Sequence, residues 1–396
     1  MHKLLNAFSS IKLTVVLLMA ALLLVFFGTL DQVNYGIYEV QKKYFQSLIA
    51  FWSYPTEWPG GNFLKHLIIP LLSGGLLGAL LLLNLICAHF KYFVLSWKKI
   101  GIALIHVGIV VLLVGGYLIG YFQEEFQMWL PEGKRVNFAK NIRKNELVII
   151  DKTDPNYDTV WSIPENLLKK DKVISLPALG IEVLMDDYYE NAVIVRRIDY
   201  PQGGIAKATQ GSGSKVDLVV FPKAKTYKSN EDSEAAAYVT LKHRGEVLGT
   251  WLVSEDERFP PQRLDAGNHQ YEIALRPERQ YFLFYLELID FKYEKYPGSE
   301  IPKSFSSEVR ILNEQAKTDR NVLIYMNHPL RYEGYTFYQA NFGPEETSSM
   351  LQVVKNSVWF VPYVGVWLTG VGLVVHFCVQ LYVYVRRKKE KLNHAF

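Results

Sequence analysis

The chain has 396 residues, 49% of them hydrophobic, a formal net charge of +4, and only two cysteines, Cys87 and Cys378. That length accommodates a membrane part plus one ordinary soluble domain. So small a charge, with its basic residues gathered beside apolar runs, argues against a nucleic-acid partner, and two cysteines inside apolar runs leave no disulfide framework, CxxC pair or zinc-finger spacing.

The first apolar run is Leu13 to Leu30, with Lys3 and Lys12 before it and Asp31 after it. No small-x-small cleavage site precedes Asp31, so the run reads as an uncleaved membrane span rather than a signal peptide. Ile37, Val40, Tyr44, Leu48 and Phe51 then recur at helical steps. This predicts an amphipathic helix, resting in the interface or packed on an outer domain. Pro55, Pro59, Gly60 and Gly61 interrupt the chain. The second and third spans are expected at Phe63–Ala88 and Ile100–Phe122. Gly74 and Gly78 on the second, and Gly101, Gly108 and Gly115 on the third, are spaced for close helix approach.

From Gln123 to Asn356 the character changes. Short alternating or β-branched runs recur between Asn, Asp, Pro and Gly punctuation, for example Glu146–Asp151, Gly180–Met185, Ala237–Lys242, Phe282–Asp290 and Ser307–Leu312. This predicts a β sandwich or an open barrel. The glycine-rich stretch Gln202 to Lys215 lacks GxxxxGK[ST] spacing and reads as a flexible surface loop. HExxH, GxSxG and paired carboxylates are absent, so nothing points to a hydrolase. The fourth span runs from Val358 to Val385 and is stopped by Arg386, Arg387, Lys388 and Lys389.

Lysine and arginine in the short flanks set the orientation. Lys3 and Lys12, then Lys91, Lys98 and Lys99, then the basic C-terminal tail, all fall on one side of four spans. That side is the cytoplasm, which puts residues 123–356 outside. The fold class is therefore membrane α plus β. Residues 1–122 form an N-terminal membrane part, 123–356 a β-rich outer domain, and 357–396 the fourth helix with its cytoplasmic tail. The absence of a transit peptide suits a bacterial inner membrane.

Two histidines stand at membrane depth, where ionisable side chains are costly and a functional role is the default. His106 lies about 10 Å inside the cytoplasmic end of the third span and His376 about 15 Å inside that of the fourth, at 1.5 Å per residue. A neutral imidazole there can ligate haem iron, zinc or copper. No helical carboxylate or second histidine accompanies either residue, as zinc would require. The bland alternative is a hydrogen bond to Asn84, Thr369 or a backbone carbonyl. His66 and His89, at the ends of the second span, read as interfacial. Unbroken spans without a buried acidic residue give a transporter no pathway.

Four stretches carry a resemblance. Ser9-Ser10-Ile11-Lys12-Leu13-Thr14 leads to Gly28-Thr29-Leu30. Leu104-Ile105-His106-Val107-Gly108 is followed by Leu130-Pro131-Glu132-Gly133. Asp290-Phe291 precedes Ser304-Phe305-Ser306-Ser307-Glu308. Met326-Asn327-His328-Pro329-Leu330-Arg331-Tyr332-Glu333-Gly334-Tyr335 comes last. In this order, on four spans, they resemble the ResB-type subunit of cytochrome c biogenesis. Residues 140–280 carry no specific likeness.

The resemblance implies a membrane subunit of a haem delivery and attachment complex, not an enzyme on its own. It would hold haem transiently, shared with a CcsA/ResC-type membrane partner, through the span-three histidine, here His106. The second axial ligand would come from that partner or from His376. Apocytochrome c, and a thiol-reducing thioredoxin-like protein, would be the other partners. His328 reads as a turn residue. The competing reading is a haem-free membrane scaffold or sensor with a ligand- or protein-binding outer domain.

Overall fold

The computed structural model describes residues 2–56, 58–92, 96–200, 202–225, 233–256, 258–267, 269–299, 302–343 and 347–393. The chain divides into two compact units. One comprises Met1–Gln123 and Asn356–Phe396. The other comprises Glu124–Thr226 and Asp232–Lys355.

The first unit begins with helix α1 (His2–Phe8) and α2 (Ile11–Gln41), which continues into a π turn at Lys42–Gln46. Gly36 breaks α2 with φ 74° and ψ 163°, a conformation open to glycine and strained for other residues. Strand β1 (Ile49–Ser53), the single turn α3 (Gly61–Leu64) and strand β2 (Ile68–Leu72) follow, then helices α4 (Gly74–Tyr92) and α5 (Ile100–Phe122).

Two expectations are corrected here. The amphipathic helix over residues 37–51 ends at Gln46, and β1 instead pairs antiparallel with β2, Ala50 facing Leu71. Alternating burial along Ile49–Ser53, with Ala50 and Trp52 inward, shows why period two prevails over helical spacing there. For the same reason the second span starts at Gly74 and not at Phe63, and His66 lies before β2 rather than on a span.

The second unit opens with β3 (Glu124–Pro131), β4 (Arg135–Asp151), β5 (Thr159–Pro164), β6 (Lys172–Leu176), β7 (Ile181–Tyr189) and β8 (Ala192–Arg196). The short helix α6 (Gly211–Lys215) precedes β9 (Leu218–Pro222), β10 (Ala236–His243), β11 (Glu246–Ser254) and β12 (Gln262–Ala266). Then come β13 (His269–Lys295), β14 (Pro302–Asn313), β15 (Thr318–Tyr325), β16 (Leu330–Tyr332), β17 (Tyr335–Phe342) and β18 (Ser348–Lys355). Helix α7 (Val361–Asn393) returns to the first unit.

A sandwich-like and a barrel-like arrangement both occur, on shared strands. The ten-stranded sheet runs β15-β14-β13-β4-β3-β18-β17-β16, with β12 and β5 added beside β13 and β4. Along one stretch, Leu147 and Ile149 of β4 and Tyr271, Ile273 and Leu275 of β13 pack on Val183, Val239 and Val253 of the four-stranded sheet β11-β10-β7-β6. Further along the same two strands, Ala139, Phe282, Phe284 and Leu286 pack with Met128, Ile311, Phe337 and Leu351 in a second, barrel-like core. The changeover falls where the β13–β4 register slips, between Pro277 and Arg279 and again between Tyr281 and Leu286. Proline cannot donate to the ladder, so a slip at Pro277 is expected.

The stretch 202–215 lies largely exposed at the surface, as expected, and its end at α6 is anchored. Gly213 is buried against Leu252, and Gln262 Oε1 accepts from the Ser212 N–H at 2.7 Å.

Candidate functional site

Four helices are long and apolar enough to cross a membrane: Ile11–Gln46, Gly74–Tyr92, Trp97–Phe122 and Val361–Glu390. One polar clamp ties the first pair, and a second closes the first of them on itself. Asn84 of α4 accepts from Thr14 Oγ1 at 2.6 Å and donates to the carbonyl of Phe8 at 2.6 Å and of Ser10 at 3.2 Å. Asp31 of α2 is buried, held by Lys43 Nζ at 2.7 Å and by the Tyr44 hydroxyl at 2.8 Å. The expectation of unbroken spans without a buried acid is thus corrected. The break at Gly36 is what lets the chain fold back so that Lys43 and Tyr44 neutralise Asp31.

The glycines of α5 find their neighbour in α7. A Cβ on Gly101 would lie 2.5 Å from the backbone nitrogen of His376 and 2.7 Å from its Cα, and one on Gly372 would lie 2.7 Å from the nitrogen of Ile105. A Cβ on Gly108 would strike Thr369 and stand 2.9 Å from the Gly365 carbonyl. The seam is therefore glycine on both sides, with backbone against backbone. On α4, by contrast, Gly74 meets the Phe45 ring and Gly78 faces open space.

The two sequence candidates sit differently on this seam. The His376 backbone lies against Gly101, and its Nδ1 is buried with no hydrogen-bond partner among the described residues. His106 is turned about 140–160° around α5 from Gly101 and Gly108, at 3.6 residues per turn. It faces α4 instead. There its ring lies 6.0 Å from that of His89, centre to centre, with planes at 70°. Neither bland partner named for these histidines is engaged with them. Asn84 binds the α1–α2 turn, and Thr369 donates to the Gly365 carbonyl at 2.9 Å.

His89, read from the sequence as interfacial, stands beside His106. It stands at the end of its span, where an imidazole needs no explanation, and its neighbour only becomes visible once α4 and α5 fold into a hairpin. Residues 93–95 of the connecting turn lie outside the described residues.

The donor set limits what this place could hold. Among the described residues there is no group of three or more His, Cys, Asp or Glu side chains able to enclose a metal. A metal taken by two imidazoles alone must bring its remaining ligands with it, as haem iron does. His106, a lone imidazole on an apolar helix, would suit a haem, whose macrocycle brings its own donors.

The β-rich unit contains a groove of about 950 Å³ at the changeover between its two cores. Glu255, Glu272, Arg276, Arg279 and Phe259 line it. Glu255 accepts from Asn145 Nδ2 at 2.9 Å and the Ala235 N–H at 3.2 Å, and burial pushes its carboxyl above the ordinary carboxylate range. Arg276 donates to Glu146 at 2.8 Å, while the Arg279 guanidinium lies 4.3 Å over the Phe138 ring. Alongside runs an open edge. β13 pairs with β12 as far as Ile273 and with β14 from Tyr285, and among the described residues no strand pairs with 274–284 on that side.

Comparison with known proteins bears on the second unit above all. Residues 236–358, from β10 through β18, match the model of the ResB-like family. The chain carries a ResB-like region. Protein NrfI of Wolinella succinogenes is 25% identical over 278 residues, which are 68% of this chain and 26% of that protein. The chain thus spans about a quarter of the length of the curated relative it matches. The likeness to ResB-type proteins read from the sequence is upheld. The ResB-like match begins after α5 and ends before α7, so it includes neither His106 nor His376.

Proposed function

We propose that this chain is a membrane subunit of a cytochrome c biogenesis complex. In this role it offers His106 to haem within the membrane and presents its β-rich unit outside as a platform for apocytochrome c. The observation that carries the reading is the placement of His106. It lies on an apolar helix, on the face turned from the tight α5–α7 seam, with too few donors among the described residues to cage a bare metal. The ResB-like match of residues 236–358, which does not include His106, supports the biogenesis role alone.

The chain's own residues have three tasks. The glycine seam between α5 and α7 fixes the rotation of α5, which sets where His106 faces. His106, kept neutral, donates a ring nitrogen to the iron of the haem cargo, whose macrocycle supplies the four equatorial ligands. The β-rich unit, through the groove and the open edge of β13, would take an extended segment of apocytochrome by strand addition. A CcsA/ResC-type partner would share the haem, with a thioredoxin-like reductant keeping the acceptor thiols free. The protein sits in a bacterial inner membrane with both termini cytoplasmic, as its flanking lysines and arginines direct.

The test is the absorption spectrum of the protein purified in detergent after co-expression with such a partner, with and without His106→Ala. The reduced haem bands weaken in the variant, and cytochrome c maturation falls with them. Haem content and maturation both untouched by His106→Ala would overturn the assignment.

A further inference from the structure

We infer that the hairpin β1–β2 is a lipid-facing foot, its outer face lying in the interfacial layer of the membrane beside the end of α4. The inference depends on α4 crossing a membrane and is independent of the haem reading of His106.

The hairpin is apolar on both faces. Ala50 stands opposite Leu71 and Trp52 opposite Ile69, and this face packs inward. Ala50 and Leu71 join the cluster around Leu24 and Tyr44, and the Trp52 ring lies 4.8 Å from that of Phe27 on α2. The opposite face carries Ile49 beside Leu72, Phe51 beside Pro70, and Ile68 beside Ser53. On it Ile49, Phe51, Ile68 and Leu72 are between 40% and 56% exposed. An antiparallel sheet that turns one face to water carries polar residues there. Here that face has Ser53 alone.

Position identifies what covers it. The base of the hairpin joins two spans: the chain reaches β1 from the end of the first at Gln46, and Ser73 alone separates Leu72 from α4. Ser73 is buried, its hydroxyl accepts from the Leu76 N–H at 3.2 Å, and its own N–H donates to the Leu48 carbonyl at 3.2 Å. Strand and helix are thus fixed to each other. From Gly74 to Ala88, ahead of His89 and Lys91, α4 rises about 22 Å at 1.5 Å per residue. A hydrocarbon core is about 30 Å thick. The shortfall of about 8 Å is the depth, roughly 5–10 Å, to which an interfacial apolar face sinks. The base of the hairpin supplies it.

Polarity rises away from that base. Ile49 and Leu72 come first, then Ser53 beside the loop, then Tyr54 and Trp58 with ring centres 5.6 Å apart. Tyrosine and tryptophan are the residues of an interfacial belt. Exposed Lys65 and His66 follow in the loop. Among the described residues no third strand pairs with β1 or β2. Both edges therefore need water or headgroups, which excludes the hydrocarbon centre and leaves its boundary. Pro70, without an N–H, leaves one donor fewer to satisfy. Such a foot fixes the depth of a short span, since outward movement would wet Ile49 and Leu72 and inward movement would bury the unpaired edges.

The experiment uses the full-length protein with its two cysteines, Cys87 and Cys378, replaced by alanine, and one nitroxide-labelled cysteine introduced at a time. Ile49→Cys, Phe51→Cys and Leu72→Cys report the foot. Leu22→Cys, exposed within the α2 span, sets the value for lipid, and Glu314→Cys, in an exposed turn of the β-rich unit, sets that for water. Each is reconstituted in phosphatidylethanolamine–phosphatidylglycerol vesicles. Power-saturation electron paramagnetic resonance then compares collisions with oxygen, which concentrates in lipid, and with a nickel chelate confined to water. The foot labels give an oxygen-to-nickel ratio about threefold or more above that of Glu314→Cys. Helical circular dichroism checks each variant, and a position that fails to fold leaves the other two to decide. Ratios equal to that of Glu314→Cys would place the face in water and overturn the proposal. Labels that collide with neither reagent would show a protein cover, a second copy of this chain or a partner, and overturn it equally.

Discussion

Replacing Gly101 with alanine tests the seam that orients His106. The added Cβ would lie 2.5 Å from the His376 nitrogen, 2.7 Å from its Cα and 2.8 Å from the Gly372 carbonyl oxygen. All three are backbone atoms of a helix and cannot rotate aside, so α5 and α7 must separate by about 1 Å to reach ordinary contact. Overpacking of this kind costs about 1–3 kcal/mol. Against it stands the gain of about 1 kcal/mol for alanine over glycine in a helix. Gly116 and Gly120 on the same helix face open space, so alanine there receives the gain without the clash. Gly101→Ala should therefore be less stable than Gly120→Ala by about 1–3 kcal/mol. That is roughly a 5- to 150-fold difference in the folding equilibrium. SDS titration in mixed micelles, followed by helical circular dichroism, reads this difference directly. Equal transitions for the two variants would refute the packing argument, and with it the claim that the seam sets the facing of His106.

The β-rich unit offers two further tests, both read by thermal unfolding of the full-length protein in detergent. Arg276→Ala strands the buried Glu146 carboxylate, leaving it only the Ser162 hydroxyl, and should destabilise the unit by about 3–5 kcal/mol. Adding Glu146→Leu to it should recover most of that loss, and a double variant no better than the single would sink the argument. Glu255 gives a pH signature. Burial raises its pKa in the fold, so the folded unit binds a proton that the unfolded chain releases more readily. Its contribution is present below the usual carboxylate range and is lost as pH rises through the raised value. Glu255→Gln should flatten that part of the stability profile, and an unchanged slope would show that Glu255 is not its source.

Much of this architecture was legible in the sequence because lipid imposes long, unambiguous apolar runs. The expected third span, Ile100–Phe122, matches helix α5 residue for residue, and the glycines on it announce close packing. What the sequence could not provide was the neighbour. Gly101, Gly108 and Gly115 have the same appearance whether they meet α4 or α7, and only the fold identifies α7. The hairpin β1–β2 was obscured because Leu48 and Phe51, three residues apart, extend the helical spacing of Ile37, Val40 and Tyr44. In the β-rich unit, Tyr271–Ala274 and Phe282–Asp290 look like separate strands, and both are parts of β13. Pro277 marks the slip between them, not a turn. His106 was visible as a costly intramembrane imidazole. His89 was read only as interfacial, from its position at a helix end.

The route of the chain into and out of its second unit has a consequence for assembly. The polypeptide leaves α5 directly into β3 and returns from β18 into α7, and β3 and β18 pair along their whole length, from Glu124 with Lys355 to Pro131 with Ser348. The helix seam and this strand pair thus each bring the same two points of the chain together. Closing a loop of roughly 230 residues costs about 5 kcal/mol of chain entropy beyond a constant, and whichever pair forms first removes most of that cost for the other. Lengthening or shortening the polypeptide between Pro131 and Ser348 should consequently leave the helix pair nearly indifferent. The β-rich unit is an insertion in the chain between two helices that pack on each other, so its length can change without changing that helix pair.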